Sequence, residues 1–236
     1  MWYVASSAFM SNRSLLADLT PHLEKARKLF PRDPDILFVS GCYFETIASP
    51  RGRPLLEARA LPYGVRVYAP SARESLVIAE DYFRRAAATR SDFAAARLRR
   101  GRALDRLGRH DDAVQEFRAI DSLTVDPAMK YLASLFEGGA QEALGHVSAA
   151  QALYGQAARQ FPNAQSPYLA LSRLARDRGD RAAALAAADR VFTRAGVDEM
   201  SDPWWTYHLF VIRNASELLQ TLQRPFLNDV TPAGKE

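Results

Sequence analysis

Apolar and small residues recur along this chain in a fixed order that repeats three times. The first copy runs Gly101, Leu104, Gly108, Ala113, Phe117, the second Gly138, Gln141, Gly145, Ala150, Tyr154, and the third Ser172, Ala175, Gly179, Ala184, Ala188. Internal spacing is 3, 4, 5 and 4 residues in every copy, and successive copies lie 37 and then 34 residues apart. Small residues where two helices cross, repeating every 34 residues or so, predict stacked helix–turn–helix units. Gly101, Gly138 and Ser172 on the first helix, facing Ala113, Ala150 and Ala184 on the second, let the backbones approach to about 8–10 Å. Phe117 and Tyr154 are then expected to fill the space between one unit and the next. Gly108, Gly145 and Gly179 end each first helix in the left-handed conformation, and the short turns that follow force an antiparallel pair.

Counting back one period from Ala113 and Phe117 reaches Ala79 and Phe83, with Ala86 one turn later, and Gly41 is the equivalent of Gly101. Gly41 and Ala79 are 38 residues apart where Gly101 and Ala113 are 12 apart, so an insertion of 26 residues lies between the helices of this unit. Breakers fill residues 50–70, and Ser71 is placed to cap the helix beyond them. The piece VRVY within the insertion has the composition of a short extended segment. One more unit fits ahead, with a helix from Pro21 to Phe30 that carries Leu23 and Ala26 at the Phe83 and Ala86 positions and stops at Pro31. Its opening helix starts almost at residue 1 with no polar cap. This reads either as a fragment or as a surface on which a partner covers Trp2 and Tyr3. At the far end Ser201 or Asp202 is placed to cap a helix with Pro203 in its first turn.

These positions resemble the tetratricopeptide repeat family. Its pattern has a small residue at the eighth position, alanine at the twentieth, an aromatic at the twenty-fourth and often proline near the thirty-second. Gly101/Ala113/Phe117, Gly138/Ala150/Tyr154/Pro162 and Ser172/Ala184 stand at those places. The likeness is fullest over 94–198, interrupted by the insertion over 34–93, and least over 1–33. Ser134 replaces the usual large residue at the fourth position, and Ala188 the aromatic of the last unit, which implies looser packing near the C-terminal end. The resemblance implies an all-α fold, an α-α superhelix of about five helix–turn–helix units. These span residues 1–33, 34–93, 94–130, 131–164 and 165–198, with a capping helix over 202–223, all forming one domain over 1–223. A flexible tail is expected over 224–236.

Composition narrows the function more by exclusion. The net charge is +4 and arginine far outnumbers lysine, but arginines alternate with carboxylates, as in RHDDAVQEFR, so no block of one sign invites nucleic acid. An alanine- and arginine-rich composition fits a GC-rich, bacterial genome. No apolar run approaches the 18 or so residues that a membrane span needs, and the N-terminal WYVASSAFM lacks the basic start and cleavage site of a signal peptide, so a cytoplasmic location is expected. Cys42 is the single cysteine, which excludes an intrachain disulfide and a thiolate metal site. His22, His110, His146 and His208 are scattered, with His110 and His146 reading as equivalent turn residues. No phosphate-binding loop, nucleophile elbow or zinc motif is present, so neither an enzyme activity nor a cofactor is expected.

Array logic leaves the concave face as the candidate site. In this family first helices line it through their second, fifth, ninth and twelfth positions. Here these are Ala95, Leu98, Arg102 and Asp105; Leu132, Leu135, Gly139 and Glu142; and Ser166, Leu169, Arg173 and Arg176. The spacing places each set on one helical face. Leu98, Leu135 and Leu169 would take apolar side chains of an extended peptide, and Arg102, Arg173 and Arg176 its carboxylates. The equally open alternative is that the leucines support packing and the arginines are solvated. Arg102 and Gly139 stand where some family members use asparagine in a carboxylate clamp, so that activity is not implied. The expected function is a protein–protein interaction scaffold for a peptide or partner domain of acidic character. The alternative is a non-catalytic support or regulatory domain of a larger protein.

Overall fold

A computed structural model describes residues 22–49, 70–192, 202–204 and 207, and every regular element among them is an α-helix. In chain order these are α1 (22–29), α2 (Pro34–Ile47), α3 (Ala72–Thr89), α4 (Ala94–Arg106), α5 (His110–Leu123), α6 (Pro127–Ala143), α7 (Val147–Gln160), α8 (Ser166–Asp177) and α9 (Arg181–Phe192). The expectations for Trp2 and Tyr3, for the opening helix of the first unit, for the 50–70 insertion with VRVY and for the 224–236 tail lie outside the described residues.

Helix boundaries follow local chemistry. Asp33 accepts from the Asp35 and Ile36 amides at 2.9 and 3.0 Å and starts α2. Ser71 and Glu74 form a reciprocal box at α3: the Ser71 amide donates to Glu74 Oε2 at 2.7 Å, and the Glu74 amide to Ser71 Oγ at 3.2 Å. The cap expected at Ser71 is therefore present. Asp126 caps α6 ahead of Pro127. The first helices of the three regular units end alike. Gly108, Gly145 and Gly179 have φ of 82°, 80° and 77°. The next residue's amide bonds back to Leu104, Gln141 or Ala175 at 2.9 Å. This Schellman closure needs a left-handed residue, and only glycine adopts it without strain.

The chain divides into two compact bodies, with the boundary between Thr89 and Arg90. In the first, α2 and α3 pair across the insertion. Ala79, Phe83 and Ala86 are fully buried, as the counted-back register requires, and Leu23 and Ala26 of α1 are buried as well. Residues Ile36 through Tyr43 of α2 are all buried, so this helix is enclosed on every side. Arg85 Nη2 donates to the Pro31 carbonyl at 3.0 Å, tying α3 to the α1–α2 turn.

In the second body α4–α5, α6–α7 and α8–α9 are pairs, α6 packs on α4 and α5, and α8 packs on α7. The aromatic position differs from expectation. A Cβ added to Gly101 would stand 2.5 Å from the Phe117 ring, and one added to Gly138 2.6 Å from that of Tyr154. Gly41 and Phe83 repeat the relation at 2.5 Å. Each ring therefore sits on the glycine of its own unit before touching the next, as Phe117 does with Phe136 at 6.1 Å between centroids. The small residue is a seat for the ring, which explains why the two positions travel together in the sequence.

Candidate functional site

The six residues expected to line the concave face fall into two groups. Leu98 is 2% exposed and Leu135 7%, and both belong to the continuous core of the second body; Leu169 is 54% exposed. The arginines divide the same way. The Arg102 guanidinium lies 4.4 Å from the centroid of Phe136 and pairs with Asp105 at 2.9 Å. Arg173 reaches across to the previous unit, where its Nη2 donates to Glu142 Oε2 at 2.8 Å. The Tyr154 hydroxyl donates to that same oxygen at 2.7 Å. Arg176 pairs with the adjacent Asp177 at 3.2 Å and is largely exposed. Leu98, Arg102 and Leu135 are thus engaged within the protein, whereas Leu169, Arg173 and Arg176 form an open strip at i, i+4 and i+7 along α8.

Tyr207 joins the same core cluster as Leu98 and Leu135. Asp202 lies against α6 and the start of α8, and Tyr207 against α4 and α6. Asp202, 1% exposed, is the fastener. Its Oδ1 accepts from the Tyr131 hydroxyl at 2.7 Å and from the Trp204 amide at 2.9 Å, and its Oδ2 from the Gln165 and Ser166 amides at 3.1 and 2.9 Å. One carboxylate therefore caps its own helical turn and the N-terminus of α8, where negative charge is favoured. Burial, then the Asp202 charge, push the Tyr131 phenol far above its ordinary range, so it stays a donor. Tyr207 packs edge-on to Phe136 at 5.0 Å, and Arg99 lies 4.3 Å from the Tyr207 ring centroid while donating to its carbonyl at 3.1 Å. The cap expected at Asp202 is present, and the described residues of the 202–223 segment contact α4, α6 and α8; the rest of the expected capping helix lies outside the described residues. The sequence signalled the cap through Asp-Pro. It carried no signal for the Tyr131 partnership, 71 residues away.

Other carboxylates of this body are also held by arginine. Glu116 pairs with Arg100 at 2.7 Å and Arg97 at 3.4 Å, and Glu137 with Arg118 at 2.8 Å. These pairs join helices of the same and adjacent units, so part of the arginine content is structural. Burial and the Glu142 hydrogen bond raise the Tyr154 phenol in the same sense as Tyr131. His110 and His146 are not equivalent, as the sequence reading had them. His110 is the first residue of α5, whereas His146 immediately precedes α7, one place earlier in the repeat. Each Nδ1 nevertheless meets an acceptor five residues back, Asp105 at 2.9 Å and Gln141 at 2.7 Å. Among the described residues no group of His, Cys, Asp or Glu has a metal-binding arrangement, and no helix is long and apolar enough to cross a membrane.

No family model matches this sequence, and no curated protein matches it. Solved structures do. A crystal structure of PilW, a widely conserved type IV pilus biogenesis factor, superposes with a TM-score of 0.60 over 94% of this chain and 91% of its own, at 19% identity. The Cut9 structure, solved with Hcn1 as an APC/C hetero-tetramer, covers 92% of this chain but 43% of its own, with a TM-score of 0.47 at 15% identity. With the glycine seats, Schellman turns and antiparallel pairs above, the likeness to PilW establishes the fold: this chain is an all-α helical-repeat protein of tetratricopeptide-like architecture.

Proposed function

We propose that the chain is a non-catalytic scaffold that docks a protein partner through the concave side of its repeats, with the exposed strip Leu169, Arg173 and Arg176 making first contact. The observation that carries this reading is the exposure of Leu169 on the helix face that continues into Arg173 and Arg176, where the equivalent Leu98 and Leu135 are buried. An exposed leucine followed along the same face by two arginines suits an extended segment with apolar and acidic residues. Arg173 is steadied by Glu142 but remains half exposed, so it can still share a carboxylate. The match along nearly all of PilW, a biogenesis factor, favours the same broad role, assembly of a protein complex.

The test is an array of peptides that alternate leucine with glutamate, set against arrays carrying lysine or glutamine. The wild-type protein should select the glutamate series, and Arg173→Glu/Arg176→Glu should lose it with helicity unchanged. Retained selection in that variant overturns the assignment. Arg102 is left unaltered because its stacking on Phe136 would confuse binding with stability.

A further inference from the structure

The last described pair of the second body lacks what the earlier pairs have. Gly41, Gly101 and Gly138 each seat a ring from their own unit, namely Phe83, Phe117 and Tyr154. In the α8–α9 pair Ser172 stands at the seat and Ala188 at the ring position. The space the ring would take is open. A groove of about 410 Å³ lies there, walled by Ser172, Ala184, Leu185 and Ala188 and rimmed by Arg176 and Arg181. Ser172 Oγ donates to the Ala184 carbonyl at 2.8 Å, so the two helices are held together without the ring. Leu185 is 61% exposed, and α9 contains no buried residue among those described.

We propose that this ringless seat is a docking site for an amphipathic helix of a partner protein, one that inserts an aromatic anchor and carries carboxylates beside it. A helix is the fitting occupant because the equivalent face of each earlier pair in this body is covered by one: α6 packs on α4 and α5, and α8 packs on α7. The anchor is aromatic because the repeat itself places Phe or Tyr in this space three times. The carboxylates answer Arg176 and Arg181, of which Arg181 has no ion-pair partner among the described residues, and Arg176 only the exposed Asp177. The groove's volume falls within the usual range of ligand pockets, about 300–1,000 Å³, and anchors of this kind dominate interface energetics. This groove adjoins the Leu169–Arg173 strip along α8, but its lining includes neither Leu169 nor Arg173, and Arg176 is the one residue common to both.

The experiment uses the full chain and a fluorescent, helix-stapled peptide bearing one phenylalanine flanked by glutamates, with an alanine-for-phenylalanine peptide as control. Ser172→Gly/Ala188→Phe supplies the missing seat and ring. It should hold or raise the melting temperature and weaken the phenylalanine peptide by about ten-fold or more. Leu185→Lys, at an exposed position that cannot unfold the pair, should weaken it comparably. Arg173→Glu should leave this peptide's affinity unchanged while it abolishes selection on the extended-peptide array, which keeps the two surfaces distinguishable. Equal affinity of the alanine and phenylalanine peptides, or undiminished binding to both groove variants, overturns the proposal. So does a concentration-dependent dimer abolished by the ring-restoring double variant, which assigns the groove to a second copy of the chain.

Discussion

The α6–α7 and α8–α9 pairs share a glycine turn, an alanine at the crossing and the same internal spacing, yet one is closed and the other open. In α6–α7 the Tyr154 ring lies on Gly138 and its hydroxyl reaches Glu142, so one side chain fills the crossing and ties the two helices. In α8–α9 Ala188 reaches nothing comparable, and a serine hydroxyl on a backbone carbonyl holds the helices. Backbone geometry therefore does not depend on the ring, because the Schellman turn and the small residues set the pair by themselves. The ring decides whether the pair is filled by its own chain or leaves room for another.

Removing a ring where it exists should give the largest effect. Tyr154→Ala empties a buried seat and removes one of the two donors to Glu142, and a loss of about 3–5 kcal/mol is expected in chemical denaturation. A truncation beside the open seat, Leu185→Ala, should stay within about 0.5 kcal/mol. Comparable losses at both sites would mean that α9 is covered in solution. Asp202→Ala comes next. It leaves the Tyr131 hydroxyl and the Gln165, Ser166 and Trp204 amides without their acceptor, at about 2–4 kcal/mol. Asp202→Asn keeps one carbonyl acceptor and should lose less. A negligible effect of Asp202→Ala would show that this carboxylate does not hold α8 in place.

A smaller contrast concerns volume. Ala150 is fully buried at the α6–α7 crossing, so Ala150→Leu should destabilise by about 1–3 kcal/mol through overpacking. Ala184, its equivalent, borders the open groove, and Ala184→Leu should be nearly neutral because the added methyls have space to enter. Gln151→Leu, on the exposed face of α7, should also be mild, its loss limited to the acceptor of the exposed Arg178 bond at 3.0 Å. If Ala150 and Ala184 respond alike, the groove closes in solution.

Much of this architecture could be read from residue spacing. The register of Gly41 with Phe83 across 26 inserted residues followed from counting, because a seat and its ring are set by helix period alone and not by the length of the turn between them. The looser packing foreseen from Ala188 is visible as α9 without a buried residue among those described. The candidate site was less legible. Position within the repeat says which way Leu98, Leu135 and Leu169 point, but not what else arrives there. Leu98 and Leu135 share the core that Tyr207 enters, a contact made by a segment outside the repeat pattern, while Leu169 lies beyond that core. Likewise Arg102 looked like Arg173 by position. Phe136, at a place the repeat leaves variable, gives only Arg102 a ring to lie on.

The smallest expected effect tests how the closed pair hands its order to the open one. Glu142 Oε2 accepts from both the Tyr154 hydroxyl and Arg173, so the ring of one unit and the exposed strip of the next share an oxygen. Arg173→Ala alone should cost less than about 1 kcal/mol, because the pair is half exposed and screened by salt. Tyr154→Phe alone should cost about 1 kcal/mol for its hydroxyl. The two should not add. With Tyr154's donor gone, Glu142 leans more on Arg173, so the double variant should lose about 0.5 kcal/mol more than the sum in a double-mutant cycle. A coupling within error of zero would separate the two units energetically, and the exposed strip on α8 would then owe its geometry to its own helix alone.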